Sequence, residues 1–271
     1  MTQPAATGAV PRERVQSDEV RDDRLIPFVI AGICAAELVL QFVHVGVGAF
    51  LHAMALVCVL ILQGHAGNLT NRRALAPLAL IPLLRLLSLT APLPGVPVPY
   101  WPAIIGVPLL VAGALAARSA GLGRRQIGLV GEAPFATVRI GLLGIPLGVG
   151  AWLCGPEIPW FAGAGDPFER GLIAVTLVVF VAFGEEFLFR GVIQGGLRLA
   201  YAAGSVPLMA ILYGVVYLGS GSIGYTLYMT AVGALNGLIV ARTGSILGVT
   251  ISHTLLILIA FVIGPASGAR P

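Results

Sequence analysis

Long apolar runs follow one another from residue 25 almost to the C-terminus, and they restrict this chain to few folds. With 57% hydrophobic residues, 10% charged residues and a mean hydropathy of +0.95, a soluble domain of 271 residues cannot bury this much apolar surface. A helix needs about 20 apolar residues to cross a membrane. We therefore predict an all-α, polytopic transmembrane helical bundle of eight or nine spans. The predicted spans are 25–44, 47–63, 74–90, 101–117, 135–154, 171–199, 206–219, 223–241 and 245–263.

The arginines outside these runs predict how the chain crosses the membrane. They follow the second, fourth and eighth spans, for example at Arg72, Arg118 and Arg242, and Arg198 ends the sixth span. Because basic loops stay on the cytoplasmic side, we expect a multi-pass protein of the cell membrane with a cytoplasmic N-terminus. The net charge of +4 then reflects topology, and nucleic acid is not an expected partner.

Three ionisable residues, Glu185, Glu186 and Arg190, lie inside the sixth apolar run. Each costs roughly 2.5–3.5 kcal/mol at membrane depth, so their presence indicates a use. Glu186 and Arg190 are four residues apart and share a helix face, which predicts an ion pair. Glu185 is turned about 100° away and remains available for chemistry. The alternative is a buried ion-pair cluster that only fixes helix packing.

A second pair of charges, Glu37 and Arg85, falls at matching depths in the first and third runs. We predict that they pair with a structural role, with a second site on the outer side as the alternative. His44 and His52 are expected to be structural histidines whose polar atoms have partners.

The segment Glu185-Glu186-x-x-x-Arg190 resembles the EExxxR motif of the CPBP family, the CAAX-prenyl-protease and bacteriocin-processing intramembrane endopeptidases. The segment from Arg242 to His253 resembles the third motif of that family, and the likeness runs from Gly121 to Phe261. It implies a helical bundle around a polar, cytoplasm-facing cavity and a glutamate that activates water against a peptide carbonyl. Carried over, Glu185 is the general base, Glu186 is oriented by Arg190, and His253 positions water, stabilises the oxyanion or binds a metal. Two adjacent acids in a low dielectric do not both ionise easily, which suits a proton acceptor near pH 7.

Two positions depart from the family pattern. Tyr217 stands where the second motif has its histidine, and Ile257 stands where an amide or acid follows His253. Zinc is a cofactor that the resemblance allows, but it needs three protein ligands, and these departures disfavour it. The cofactor therefore remains unknown. Tyr217 is either an O–H donor to an oxyanion or an interfacial aromatic, and Asn236 is a candidate for the missing amide.

The sequence predicts four regions: a disordered cytoplasmic tail at 1–24, N-terminal transmembrane helices at 25–120, a catalytic-type domain at 121–263 and a tail at 264–271. The favoured function is a glutamate-dependent endopeptidase that cleaves a hydrophobic or lipidated membrane peptide, with membrane lipids as further partners. One alternative is a degenerate member of the family that binds a membrane partner, as an immunity or scaffold protein. A third hypothesis is a small transporter that uses the two acids as a proton relay. The lack of an inverted repeat in the sequence weakens this hypothesis.

Overall fold

A computed structural model describes residues 24–90, 94–131, 133–156 and 166–266, and no strand occurs among them. The predicted tails at 1–24 and 264–271 lie outside the described residues, apart from Arg24 and the short helix Gly264–Ala266.

Nine apolar helices make up most of the described part of the chain. They are α1 (Leu25–Phe42), α2 (Val45–His65), α3 (Leu69–Thr90), α4 (Val98–Ser119), α5 (Pro134–Cys154), α6 (Pro167–Tyr201), α7 (Ser205–Ser220), α8 (Ile223–Thr243) and α9 (Leu247–Ile263). Seven of these described helices are long and apolar enough to cross a membrane, and α7 and α9 are the two shorter ones. The all-α, multi-pass fold predicted from the sequence is confirmed.

The lipid-facing surface is clearest on α2. This helix has the highest mean hydropathy of the candidate spans, 2.5, yet only 17% of its apolar window is buried. Exposed large apolar side chains such as Phe50 and Ile61 would be unfavourable in water. In a bilayer they lie against lipid, so the outer surface agrees with the hydropathy of the sequence.

Helix α6 is the centre of the bundle. Asp166 starts it, because the Asp166 side chain accepts a hydrogen bond from the Glu169 backbone N–H at 2.8 Å, and Pro167 occupies the first turn. Every residue from 186 to 197 is buried. The helix packs against α3, α4, α7, α8 and α9, so its polar residues are surrounded by protein rather than lipid.

Two stretches of α6, Leu177–Phe183 and Glu186–Ile193, form wide π-helical turns instead of regular α-helical ones. Such turns are rare and concentrate at functional sites. They flank Glu185, so the backbone departs from regular α-helical geometry on both sides of the acid pair. The apolar periodicity of the sequence does not predict these π-helical turns.

A polar cluster joins α1, α2 and α3. Arg85 donates from Nε to Glu37 Oε2 at 3.0 Å and from Nη2 to Glu37 Oε1, which confirms the predicted pair. His52 Nε2 lies 2.9 Å from Glu37 Oε2, so His52 belongs to this cluster. His44 accepts backbone N–H bonds at the start of α2. His44 therefore has hydrogen-bond partners, as predicted. His52 differs from the prediction, because it contacts Glu37 but neither of its ring nitrogens makes a hydrogen bond within the described residues.

Candidate active site

A cavity of about 510 Å³ lies beside α6 and is bordered by α3, α4, α7, α8 and α9. Most of its wall is apolar. The charged and hydroxyl or imidazole side chains on its wall, within the described residues, are Arg85, Ser88, Glu185, Tyr217, Ser220, Tyr225 and His253. A mostly apolar chamber with a few convergent polar groups is typical of a ligand site, and this volume suits a short peptide or a lipidated side chain.

The cavity extends from Glu185 toward one end of the bundle. That end is marked by Ser88 near the end of α3, Trp101 near the start of α4 and Ser220 at the end of α7. If the N-terminus is cytoplasmic and successive helices cross in alternating directions, this end lies on the outer side. A cytoplasmic N-terminus and a cytoplasm-facing cavity are therefore incompatible predictions in this architecture.

Glu185 is half-buried on the cavity wall. Its Oε2 accepts hydrogen bonds from the hydroxyl groups of Tyr213 and Tyr217, both at 2.9 Å, and these hydroxyl oxygens lie 3.2 Å apart. Within the described residues, no hydrogen bond to Glu185 Oε1 is found. The carboxylate is thus held through one oxygen only.

Glu186 is fully buried and does not line the cavity. Its Oε1 lies 3.0 Å from His253 Nδ1 and accepts a hydrogen bond from Asn236 Nδ2 at 3.2 Å. Arg190 Nε lies 3.4 Å from Oε2, so the predicted ion pair is present. The two adjacent acids are therefore in different environments, with Glu186 held by three side chains and Glu185 beside the cavity.

Tyr213 connects these two environments, and sequence reasoning assigned it no role. Its ring is fully buried and lies under the Arg190 guanidinium, with Cζ 3.9 Å from the ring centroid, while its hydroxyl donates to Glu185. This cation–π contact helps to compensate the buried charge of Arg190. The sequence does contain a signal for this role of Tyr213. Tyr213 and Tyr217 are four residues apart, and residues with that spacing on a helix present their side chains on one face.

His253 meets the acid pair at Glu186 rather than at Glu185. The imidazole is 3% exposed and borders the cavity, and Nε2 has no hydrogen-bond partner among the described residues. Ile257 lies one turn further along α9 and also lines the cavity. Asn236 of α8, the candidate for the missing amide, donates to Glu186 and not to His253.

The donor atoms of this site do not fit a zinc ion. Oε2 of Glu185 already accepts two hydroxyl groups, and Oε1 of Glu186 faces His253 and Asn236. In the parts of the chain that the structure describes, no three His, Cys, Asp or Glu side chains are grouped to hold a metal ion. Since zinc needs three protein ligands and an open fourth position, we derive no step through a metal.

Comparison with known proteins gives one match. A family model described as "Type II CAAX prenyl endopeptidase Rce1-like" matches residues 167–259, which include α6, α7, α8 and most of α9. No curated protein and no solved structure matches the chain. The resemblance inferred from the acid motif is confirmed for this segment.

Proposed function

We propose that the chain is a glutamate-dependent intramembrane endopeptidase, because residues 167–259 match the family model described as a type II CAAX prenyl endopeptidase, Rce1-like. The observation that carries the proposal is the position of Glu185. It is the one carboxylate on the cavity wall within the described residues, and its Oε1 has no hydrogen-bond partner among them.

In the proposed reaction, Glu185 Oε1 accepts a proton from a water molecule as the water oxygen attacks the scissile carbonyl carbon. The negative charge that develops on the carbonyl oxygen is stabilised by the Tyr217 O–H, which turns from Glu185 Oε2 to the oxyanion as Glu185 takes the proton. His253 adds a second donor when its ring is protonated at Nε2 as well as at Nδ1. Glu185 then gives its proton to the leaving nitrogen as the carbon–nitrogen bond breaks. One water is consumed, and the products are a carboxylic acid and an amine.

Glu186 has a positioning role in this proposal. Its carboxylate is bound by Arg190 and Asn236 and holds His253 through Nδ1, so the opposite ring nitrogen is available at the cavity. A histidine oriented by a carboxylate on its other nitrogen is a recurrent arrangement in catalysis. This division of roles leaves one acid for proton transfer and one for orientation.

The apolar wall supports a hydrophobic or lipidated substrate. We propose that residues 121–263 form the catalytic-type domain. From the arginine distribution we also propose that the N-terminus is cytoplasmic. With that orientation the cavity extends toward the outer side of the membrane. The N-terminal helices α3 and α4 also contribute to its wall.

The experiment that tests this function is cleavage of internally quenched, lipidated peptides by the detergent-purified protein in water enriched in ¹⁸O. Hydrolysis is expected to place one labelled oxygen in the new carboxylate, as mass spectrometry would show. No cleavage across a panel of hydrophobic peptides, with a membrane partner that co-purifies, would support the scaffold alternative. Proton-coupled uptake into liposomes without cleavage would support a transporter.

The two tyrosines offer a matched pair of variants. Tyr217→Phe and Tyr213→Phe each remove one O–H donor to the same oxygen of Glu185, but only Tyr217 lines the cavity. We expect Tyr217→Phe to lower kcat by about 100-fold, the typical effect of an oxyanion donor, and Tyr213→Phe by less than about 10-fold. Equal losses in steady-state kcat would instead show that both hydroxyls only hold Glu185.

A further inference from the structure

The cavity holds a second polar position, away from the acid pair. Arg85 of α3 is the only cationic side chain that the described residues contribute to the wall, apart from the imidazole of His253. The Arg85 side chain is 11% exposed, so it is largely desolvated but still reaches the cavity. In such a low-dielectric space a guanidinium interacts strongly with any anion that enters.

The hydrogen bonds of Arg85 leave part of its guanidinium unused. Nε and Nη2 donate to Glu37, and Nη2 also donates to the Val216 carbonyl oxygen at 2.7 Å. A guanidinium has five N–H donors. Both N–H groups of Nη1 have no acceptor among the described residues.

Gly219 keeps the Nη1 edge accessible. A Cβ added to Gly219 would lie 3.0 Å from Arg85 Nη1, which is tighter than an ordinary contact, and both residues line the cavity. The missing side chain therefore leaves room beside the two free donors. The contacts with Glu37 and Val216 hold the guanidinium in one orientation, so little ordering is needed when a ligand binds.

We propose that Arg85 Nη1 and the space beside Gly219 form a subsite for an anionic group, a carboxylate or a phosphate, in the same chamber as Glu185. Planar N–H pairs of arginine match the oxygens of both groups. Glu37 reduces the net charge of the site, but it faces two basic side chains, Arg85 and His52. The source of the anion is either the C-terminal carboxylate of a bound peptide or the phosphate of a lipid headgroup.

This proposal rests on the proposed function only for the nature of the bound peptide. Removing Arg85 outright would leave Glu37 buried beside His52 alone and risks unfolding. Gly219→Ala is the sharper change, because its added methyl lies nearest to Nη1, at 3.0 Å against 3.4 Å for Nη2, and removes neither Glu37 nor Val216. Gly224→Ala is its matched control, since the nearest side-chain atom to an added Cβ there is Ser222 Oγ at 4.0 Å.

The test measures binding of two peptides that differ only in a C-terminal carboxylate or carboxamide, by titration calorimetry on Glu185→Gln protein, so that no hydrolysis is required. We expect the peptide with the C-terminal carboxylate to bind at least about 10-fold more tightly than the carboxamide peptide. Gly219→Ala should remove this preference without weakening binding of the carboxamide peptide. Gly224→Ala should keep the preference. Arg85→Lys, which retains the charge but lacks Nη1, should lose it as well.

A second experiment tests whether the anion is the phosphate of a lipid headgroup. If the acid and amide peptides bind alike, native mass spectrometry of protein from phosphatidylglycerol or phosphatidylcholine nanodiscs should show anionic lipid retained by the wild type and lost in Gly219→Ala. If Gly219→Ala and Arg85→Lys change neither the peptide preference nor lipid retention, the subsite is disproved. Hydrolysis by the wild type is measured separately, so failure of the proposed function is distinguishable from failure of the subsite.

Discussion

Glu185→Gln is expected to lower kcat by about 100- to 10,000-fold, the range for loss of a general base, while the protein stays folded. Glutamine has nearly the same shape, and its amide oxygen still accepts hydrogen bonds from Tyr213 and Tyr217. The amide cannot take a proton from water, so the loss should fall on kcat and not on KM. Steady-state kinetics with a quenched peptide and a thermal unfolding curve measure both effects.

Glu169→Gln is the matched control for this change. Glu169 lies on the same helix, accepts a hydrogen bond from the Tyr100 hydroxyl at 3.3 Å and does not line the cavity. Its substitution should alter kcat by less than about 2-fold, as an interaction outside the transition state does. Full activity in Glu185→Gln would rule out a base at this position and move the chemistry to Glu186 or His253.

Arg190→Met is expected to destabilise the protein by about 3–5 kcal/mol, because it leaves the Glu186 carboxylate buried without its cation. Methionine has a similar length, so the change mainly removes charge and the stacking on Tyr213. His253 and Asn236 would remain as partners of Glu186 but supply no permanent positive charge. Activity should also fall, since Glu186 positions His253.

The double variant Glu186→Gln, Arg190→Met separates charge from packing. With both charges removed, most of the lost stability should return, because the destabilisation arises from one unpaired ion. Reversible unfolding in mixed micelles measures the difference. A double variant as unstable as Arg190→Met would mean that stacking on Tyr213, and not the ion pair, is the main contribution of Arg190.

The sequence was sufficient for the fold because membrane helices must satisfy their own backbone and present apolar surface to lipid. The sequence predicted the first and last residues of the helices less accurately. Helix α3 begins at Leu69 and not at 74, since Asn68 caps it through Thr70 N–H at 2.7 Å. Its first turns contain Asn71 and two arginines, so an apolar-run criterion excludes them.

Within the site, the pairing of Glu186 with Arg190 could be predicted because it is local to one helix. The partner of His253 could not, since the choice between two adjacent acids depends on how α6 and α9 are rotated against each other. The role of Tyr213 could not be predicted for the same reason, because its contacts with Glu185 and Arg190 join separate helices. Contacts between helices depend on packing angles and on the π-helical turns, which hydropathy does not encode.

The chamber draws part of its wall from helices outside residues 167–259. Leu84, Trp101 and Leu109 belong to α3 and α4, and they line the same cavity as Glu185. Substitutions in these helices would change which molecules fit, while the contacts of Glu185 with Tyr213 and Tyr217 stay in place. If the proposed function holds, chimaeras that exchange the N-terminal helices are expected to change which molecules the cavity accepts.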